Sequence, residues 1–258
     1  MIQDRARIVR LMTEGGPQPG IIEAERVYTL KGESPDEWER GEEIGGLAEI
    51  SLLAPVVPSK IIGVGLNYPA HAGESGEEVP SEPLLFFKPP SAVIGPLATI
   101  ALPSQSARVD YEAELAVVIG RPCRNVKPEE AWSHVLGVTC GNDVTARDLQ
   151  RRDNQWTRAK GFDTFCPLGP WIVTGLSEDV VADLDLVCRV NDVVRQSARS
   201  SHMVLSIPEL IAYASSIMTL EPTDVIMTGT PEGVGPLAPG DVVEVEVERI
   251  GVLRNDVV

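Results

Sequence analysis

The chain has 258 residues and a formal net charge of −16, with 22 Lys and Arg against 38 Asp and Glu. Such an acidic balance repels nucleic acid and argues against it as the main partner. Hydrophobic residues make up 43% of the chain and charged residues 23%, an ordinary globular composition; no apolar run approaches ~18 residues, and Met1-Ile2-Gln3-Asp4 does not start a signal-peptide core, so no membrane partner is expected and the protein reads as cytoplasmic.

Residues 1–58 read as a small, strand-rich N-terminal domain. Ala6–Leu11 and Ile21–Ala24 are strands flanking a turn at Glu14–Gly20, where Gly and Pro cluster. An acidic stretch, Gly32–Glu43, is expected on the surface, and Ala54-Pro55-Val56-Val57-Pro58 reads as a linker. Residues 59–258 form the main domain. It opens with a short buried strand, Ile61–Gly65, followed by Asn67–Glu74 and a polar loop, then an apolar strand ending at Phe86-Phe87-Lys88. Loops of this kind are often functional.

Next comes Asp110–Gly120, rich in β-branched residues and closed by Gly120-Arg121-Pro122, which predicts a strand. Alternation puts Asp110, Glu112 and Glu114 on one face and Tyr111, Ala113 and Leu115 on the other. Beyond Glu114 both faces are apolar, so the carboxylates stand at the edge of a core, where they repel one another unless a proton or cation intervenes. Glu244–Glu248 shows the same alternation and reads as a half-solvated strand, so alternation alone assigns nothing. Pro128–Trp132 starts a helix with acids in its first turn. Val135–Cys140 is a strand that delivers Gly141-Asn142-Asp143, and a capping-box spacing at Ser206–Glu209 starts a helix running to about Leu220. Asp224–Thr228, Asp241–Glu248 and Gly251–Leu253 are strands. Strands outnumber helices without alternating with them, which predicts a mainly β, mixed α+β roll over a doubly wound fold.

The four cysteines include no Cys-x-x-Cys pair and there are three histidines, so a thiolate metal site is disfavoured and buried free thiols are expected. Three groupings carry chemistry. Asp143, at a strand end, could join Glu112 and Glu114 as three oxygen ligands for Mg²⁺ or Mn²⁺; taken alone it reads better as a turn or helix-cap Asp. His71 and Glu74, three apart, share a face on one helical turn, and a carboxylate beside an imidazole makes a general base; a surface pair is the plain alternative. Arg147–Lys160 is strongly basic for so acidic a chain, and reads either as a charged surface helix or as an anion site, with Lys160 its most buried member. Thr228–Gly235 is a glycine-rich turn whose N–H groups could cradle a carboxylate, but it lacks a nucleotide-binding pattern.

These motifs, in order, resemble the fumarylacetoacetate hydrolase family: Gly65-Leu66-Asn67-Tyr68 with His71 and Glu74, Phe87-Lys88-Pro89, Tyr111–Leu115, Asn142–Asp148, Lys160-Gly161-Phe162 and Thr228–Gly235. The resemblance covers residues 60–258 and implies a mixed β-sandwich roll, a homodimer, and one Mg²⁺ or Mn²⁺ per subunit. It implies Glu112, Glu114 and Asp143 as metal ligands. It further implies His71 and Glu74 as a catalytic dyad on a lid, Lys160 as the cationic partner of the reacting carbonyl, and Arg147, Gln150 and Thr230 near the substrate.

Substrates in this family are 2-oxo acids or their enols. Tyr111–Leu115 and Pro208–Tyr213 are similar to the bacterial branch of aromatic catabolism that isomerises and decarboxylates 2-hydroxyhepta-2,4-diene-1,7-dioate and related intermediates. Thr145–Gln150 is closer to acylpyruvate hydrolases and oxaloacetate decarboxylases. The leading expectation is a metal-dependent isomerase or decarboxylase of 2-hydroxy-dienoate or 2-oxo dicarboxylates. An acylpyruvate or fumarylpyruvate hydrolase is the alternative, and a non-catalytic metal-binding protein of the same fold the distant one.

Overall fold

The computed structural model describes residues 5–32 and 34–258. The expected Met1–Asp4 segment and Glu33 of the acidic stretch lie outside them. Among the described residues no helix is long and apolar enough to cross a membrane.

The strand Ala113–Ile119 is the axis of the molecule. Every residue in it is buried, because it runs between two antiparallel neighbours, Val135–Asn142 and Val225–Met227, in the middle of a twelve-stranded sheet. Leu115, Val117 and Ile119 face one apolar core, shared with the five-stranded sheet (Leu186, Cys188, Val243, Val245, Leu253) and the helix Ile207–Ile217. Ala116 and Val118 face a second core with Ile61, Leu168 and Met227. A strand covered on both faces needs apolar side chains at every position, which is why alternation ends after Glu114. The mainly β, mixed α+β architecture is the one expected.

Several elements differ from expectation for identifiable reasons. Asp110–Gly120 is not one strand: Val109–Tyr111 belongs to a three-stranded sheet with Thr145–Ala146 and Gly235–Pro236, and Ala113–Ile119 to the large one. Glu112 stands at the junction, where its N–H donates to Asn142 Oδ1 at 2.9 Å and its carbonyl accepts from Asp143 N–H at 2.8 Å. The side chain of Asn142 thus replaces a ladder partner.

The Glu14–Gly20 turn is shorter than its composition suggests, since Gly16–Glu23 is a strand. Its Pro17 and Pro19 pair with Met12 and Arg10 on one side, while the other neighbour begins only at Gly20. Proline's missing N–H therefore falls where no ladder bond is required. The acidic stretch ends in an edge strand, Glu39–Gly46, that pairs with Arg26–Lys31. The helix that starts at Ser206 stops at Ile217; Leu220 leaves it to bridge Cys123. The hairpin Asp185–Val190/Val193–Arg199 turns on Asn191-Asp192, both with positive φ, a pattern that short polar residues tolerate. The Glu244 and Glu246 side chains are half-exposed and paired with Arg254 and Arg189. That is the half-solvated strand expected.

The ends of Ile61–Gly65, Val225–Met227 and Val135–Asn142 and the start of Ala113–Ile119 lie at one end of the large sheet, given their mutual directions. Towards the opposite end, close packing leaves no space beside Gly137, which pairs with Val118 and whose added Cβ would come within 2.3 Å of Val173 O. Gly137→Ala is expected to cost roughly 1–3 kcal/mol by overpacking, read as a lowered midpoint in thermal unfolding. An unchanged midpoint would contradict the close approach of these two strands.

Candidate active site

Nine residues singled out from sequence line one cavity of about 520 Å³: His71, Glu74, Glu112, Glu114, Asp143, Arg147, Gln150, Lys160 and Thr230. Each arrives from a different part of the chain for a local reason. Glu112 and Glu114 flank the start of the central strand, and Asp143 follows the strand antiparallel to it, with Glu114 opposite Gly141. The end of the Met227 side chain packs over Gly141, with Cε 2.6 Å from where a Cβ would stand.

One carboxylate oxygen from each of Glu112, Glu114 and Asp143 lies within 4.8 Å of the others, and all three residues are buried. The positive charge around them is unevenly shared. Lys160 Nζ donates to Glu112 Oε2 at 2.8 Å and to Asp143 Oδ2 at 2.6 Å. Lys88 Nζ donates to Asp143 Oδ1 at 2.6 Å and to Val144 O at 3.2 Å, and Arg147 Nη2 pairs with Glu112 Oε1. Glu114 makes no ion pair among the described residues and accepts only the Gly229 N–H, at 2.8 Å.

The titration of the acids follows. Burial pushes Glu112 upward, but Lys160 and Arg147 outweigh it and hold the carboxyl well below the usual range. Burial, then the charges of Asp143 and Glu112, push Glu114 well above it. For Lys160, burial disfavours the ammonium, and Asp143 and Glu112 more than restore it. Oxygen-only ligands close together, one of them lacking a cation, suit a hard divalent ion. The three residues could hold a metal ion.

The rest of the site frames this centre. His71 and Glu74 lie on the short helix Pro69–Ser75, with His71 Nδ1 3.6 Å from Glu74 Oε2. They face each other without a hydrogen bond, and His71 Nδ1 is buried with no partner. Glu74 instead accepts the Gly233 N–H at 3.1 Å. The glycine-rich turn thus cradles carboxylates, as its composition suggested, but they are the protein's own. Thr230 Oγ1 donates to Ala113 O at 2.9 Å and accepts from Gln196 Nε2 at 2.8 Å, which holds the turn against the central strand. Phe86 and Trp156 meet edge to face at 5.2 Å, with Lys160 Nζ 4.9 Å from the Phe86 centroid, and form an aromatic wall.

The basic segment folds as two short helices, Arg147–Arg152 and Thr157–Lys160, not one surface helix. Arg147 and Lys160 are buried, more deeply than the segment's charge suggests, because buried acids receive them. Two structural participants, Asp110 on the acidic face and Lys88 in the Phe87-Lys88-Pro89 motif, were named from the sequence without a role in the site. Asp110, fully buried, accepts from Arg147 Nε at 2.9 Å and from Arg108 Nε at 2.8 Å. Lys88, also fully buried, backs Asp143. The available signal was a lone lysine closing the apolar strand Leu84–Lys88. The four cysteines are buried and unpaired, and burial pushes the Cys140, Cys166 and Cys188 thiols up to about 12, so none is a poised nucleophile.

The sequence model described as the C-terminal region of fumarylacetoacetate (FAA) hydrolase matches residues 60–258, and one described as the N-terminal region of Rv2993c-like proteins matches residues 6–55. A crystal structure of 2-hydroxyhepta-2,4-diene-1,7-dioate isomerase from Mycobacterium marinum superposes with a TM-score of 0.90 at 42% identity, covering 98% of each chain. The 5-carboxymethyl-2-hydroxymuconate delta-isomerase of Mycobacterium smegmatis gives 0.84 at 45% identity, covering 98% of this chain and 99% of that one. The human mitochondrial oxaloacetate tautomerase is 47% identical over 224 residues, covering 82% of this chain and 70% of the human protein.

The raised pKa of Glu114 has a thermodynamic consequence. A carboxyl whose folded pKa lies above its unfolded one contributes stability that is present below the ordinary carboxylate range and lost as pH rises toward the folded value. Glu114→Gln is therefore expected to raise the Tm of the metal-free protein at neutral pH by roughly 2–4 °C, equivalent to about 1 kcal/mol in a chain this size. If the three acids hold a divalent ion, Mg²⁺ or Mn²⁺ is expected to raise the Tm of the wild type, and Glu114→Gln to abolish that increase. Thermal melts with and without each ion check both; an ion-induced increase that survives the substitution contradicts the assignment of Glu114.

Proposed function

The chain belongs to the fumarylacetoacetate hydrolase family, and from that premise we propose that it is a divalent-metal-dependent isomerase or decarboxylase of 2-oxo dicarboxylates and 2-hydroxy-dienoate dicarboxylates. The observation that carries this reading is the buried acid without a cation, Glu114, in the same cavity as an unpartnered imidazole nitrogen, His71 Nδ1. The named activities of the relatives, two isomerases and a tautomerase, support enol–keto chemistry as the common element.

In this reading Glu112, Glu114 and Asp143 hold Mg²⁺ or Mn²⁺. The ion would draw electron density from the 2-oxygen and carboxylate of a bound 2-oxo acid and so stabilise the enolate. The protein's residues do the rest. His71 takes a proton from the carbon beside the 2-oxo group and returns one to oxygen, or the reverse, through the ring nitrogen that does not face Glu74. Glu74, held by Gly233 N–H, stands 3.6 Å from Nδ1 of that ring and orients it. Lys160 holds Glu112 ionised, bonds Asp143, and places an ammonium beside the developing oxyanion. Arg147 and Gln150, bonded to each other at 2.5 Å, border the substrate, and Thr230 lines the same cavity. Loss of CO₂ from a 2-oxo dicarboxylate whose second carboxylate is on C3 leaves the C–C bond pair in the same type of enolate, so decarboxylation needs no additional group. The same His71–Glu74 pair could activate water, which favours an acylpyruvate hydrolase as the second reading.

The test is to incubate the protein with oxaloacetate, a 2-hydroxy-dienedioate and an acylpyruvate, with Mg²⁺ or Mn²⁺ and with chelator, following tautomer change, CO₂ release and C–C cleavage separately. Metal-dependent tautomer change or CO₂ release is expected from the dicarboxylates, with His71→Ala lowering kcat by about 10²–10⁴-fold. Pyruvate released from the acylpyruvate alone would replace this reading with the hydrolase one. The family resemblance also implies a homodimer, which sedimentation of the purified protein tests.

A further inference from the structure

We propose that Arg151 binds the distal carboxylate of the substrate and so sets the preference of this site for dicarboxylates over monocarboxylates. The inference rests on the reading of the cavity as a 2-oxo acid site and adds the residue that reads the far end of the molecule.

The argument is a count of committed cations. Lys160 is shared between two protein carboxylates. Arg147 directs Nε to Asp110, Nη2 to Glu112 and Nη1 to Gln150, so no face of its fork is free. Arg108 uses Nε and Nη2 on Asp110, at 2.8 and 3.1 Å. Arg151 lines the same cavity, and no hydrogen bond, ion pair or ring contact engages its side chain among the described residues. It is the lining guanidinium with its whole fork available.

Position supports the role. Arg151 lies four residues after Arg147 in the helix Arg147–Arg152. Residues at that spacing share a face and stand about 6 Å apart along the axis. Arg147 reaches inward to Glu112, and Arg151 stands one turn further out, exposed at the cavity mouth. A substrate whose 2-oxo acid end lies at the acidic centre would extend its other end along that face. A free planar fork there matches a carboxylate in two parallel hydrogen bonds, which a neutral end cannot accept. Glu77 also lines the cavity, from the segment after the His71 helix. Its presence provides the rival explanation, an Arg151–Glu77 contact that merely latches the lid.

The test compares wild type, Arg151→Gln, Arg151→Lys and Glu77→Gln. Deuterium exchange from solvent at C3 is followed for oxaloacetate and for 2-oxobutyrate, which lacks the second carboxylate. Arg151→Gln is expected to lower the ratio of kcat/KM for oxaloacetate over 2-oxobutyrate roughly tenfold, mainly through KM, with Arg151→Lys recovering part of it. Calorimetric binding of malate against 2-hydroxybutyrate to the Mg²⁺-loaded protein should show the same fall in ratio without turnover. An unchanged ratio, equal losses on both substrates, or reproduction of the effect by Glu77→Gln would overturn the assignment and leave a lid latch or a structural role. If exchange is absent in the wild type but malate selectivity still depends on Arg151, the proposed reaction fails and this inference stands. If malate selectivity is also independent of Arg151, both fail.

Discussion

Three carboxylates held together in a dry place set the terms for the rest of the molecule. Like charges a few ångströms apart in a low dielectric cannot all stay ionised without positive partners. Much of the architecture around Glu112, Glu114 and Asp143 supplies those partners. Lys160 bridges two of the acids, Lys88 supports Asp143 from behind, and Arg147 joins Glu112 to the buried Asp110. Glu114 is left with one backbone N–H, and its carboxyl rises. The place where positive charge is lacking is therefore defined by how the protein's own cations are spent.

The fold makes this arrangement stiff. The acids flank the start of a strand packed on both faces, so their backbone cannot yield without disturbing two cores. The glycine-rich turn is bound to that strand through Thr230 and to the His71 helix through Glu74. Asn67 ties a third segment in, donating to Thr228 O at 2.8 Å and Leu205 O at 3.1 Å and accepting from Leu205 N–H at 2.9 Å. Gly229 has a positive φ of 103° and would place a Cβ 2.9 Å from that of Asn67, so this crossing requires glycine. Groups that looked like ligand contacts in isolation, the turn N–H groups and the basic segment, are largely engaged with the protein's own acids. Binding chemistry is then left to the few groups that remain free.

Legibility in the sequence followed the range of the interactions involved. Patterns carried by neighbouring residues were readable: the apolar run after Glu114, the His71–Glu74 turn, the capping box at Ser206. Features decided by partners far along the chain were not. Arg108 is two residues from Asp110, but nothing near Asp110 shows that Arg147 will reach it from 37 positions later, and nothing near Lys88 shows that an acid 55 positions later will receive its ammonium. The break at Glu112 was equally hidden, since it depends on the Asn142 side chain replacing a ladder partner. Pro17 and Pro19 suggested a turn because the one-sided neighbour that admits them is itself a tertiary fact.

The amino-acid order alone determined the mainly β class, the family and the set of chemically able side chains, because composition, periodicity and motif spacing are local properties of the chain. Only the tertiary structure decided which of those side chains face one another and which are already satisfied. Glu112–Glu114 and Glu244–Glu246 are the same pattern in sequence. One pair is buried against another acid and three cations, and the other is half-exposed opposite Arg254 and Arg189. The difference is the dielectric and the company each strand finds when the sheets close, and those exist only in the folded molecule.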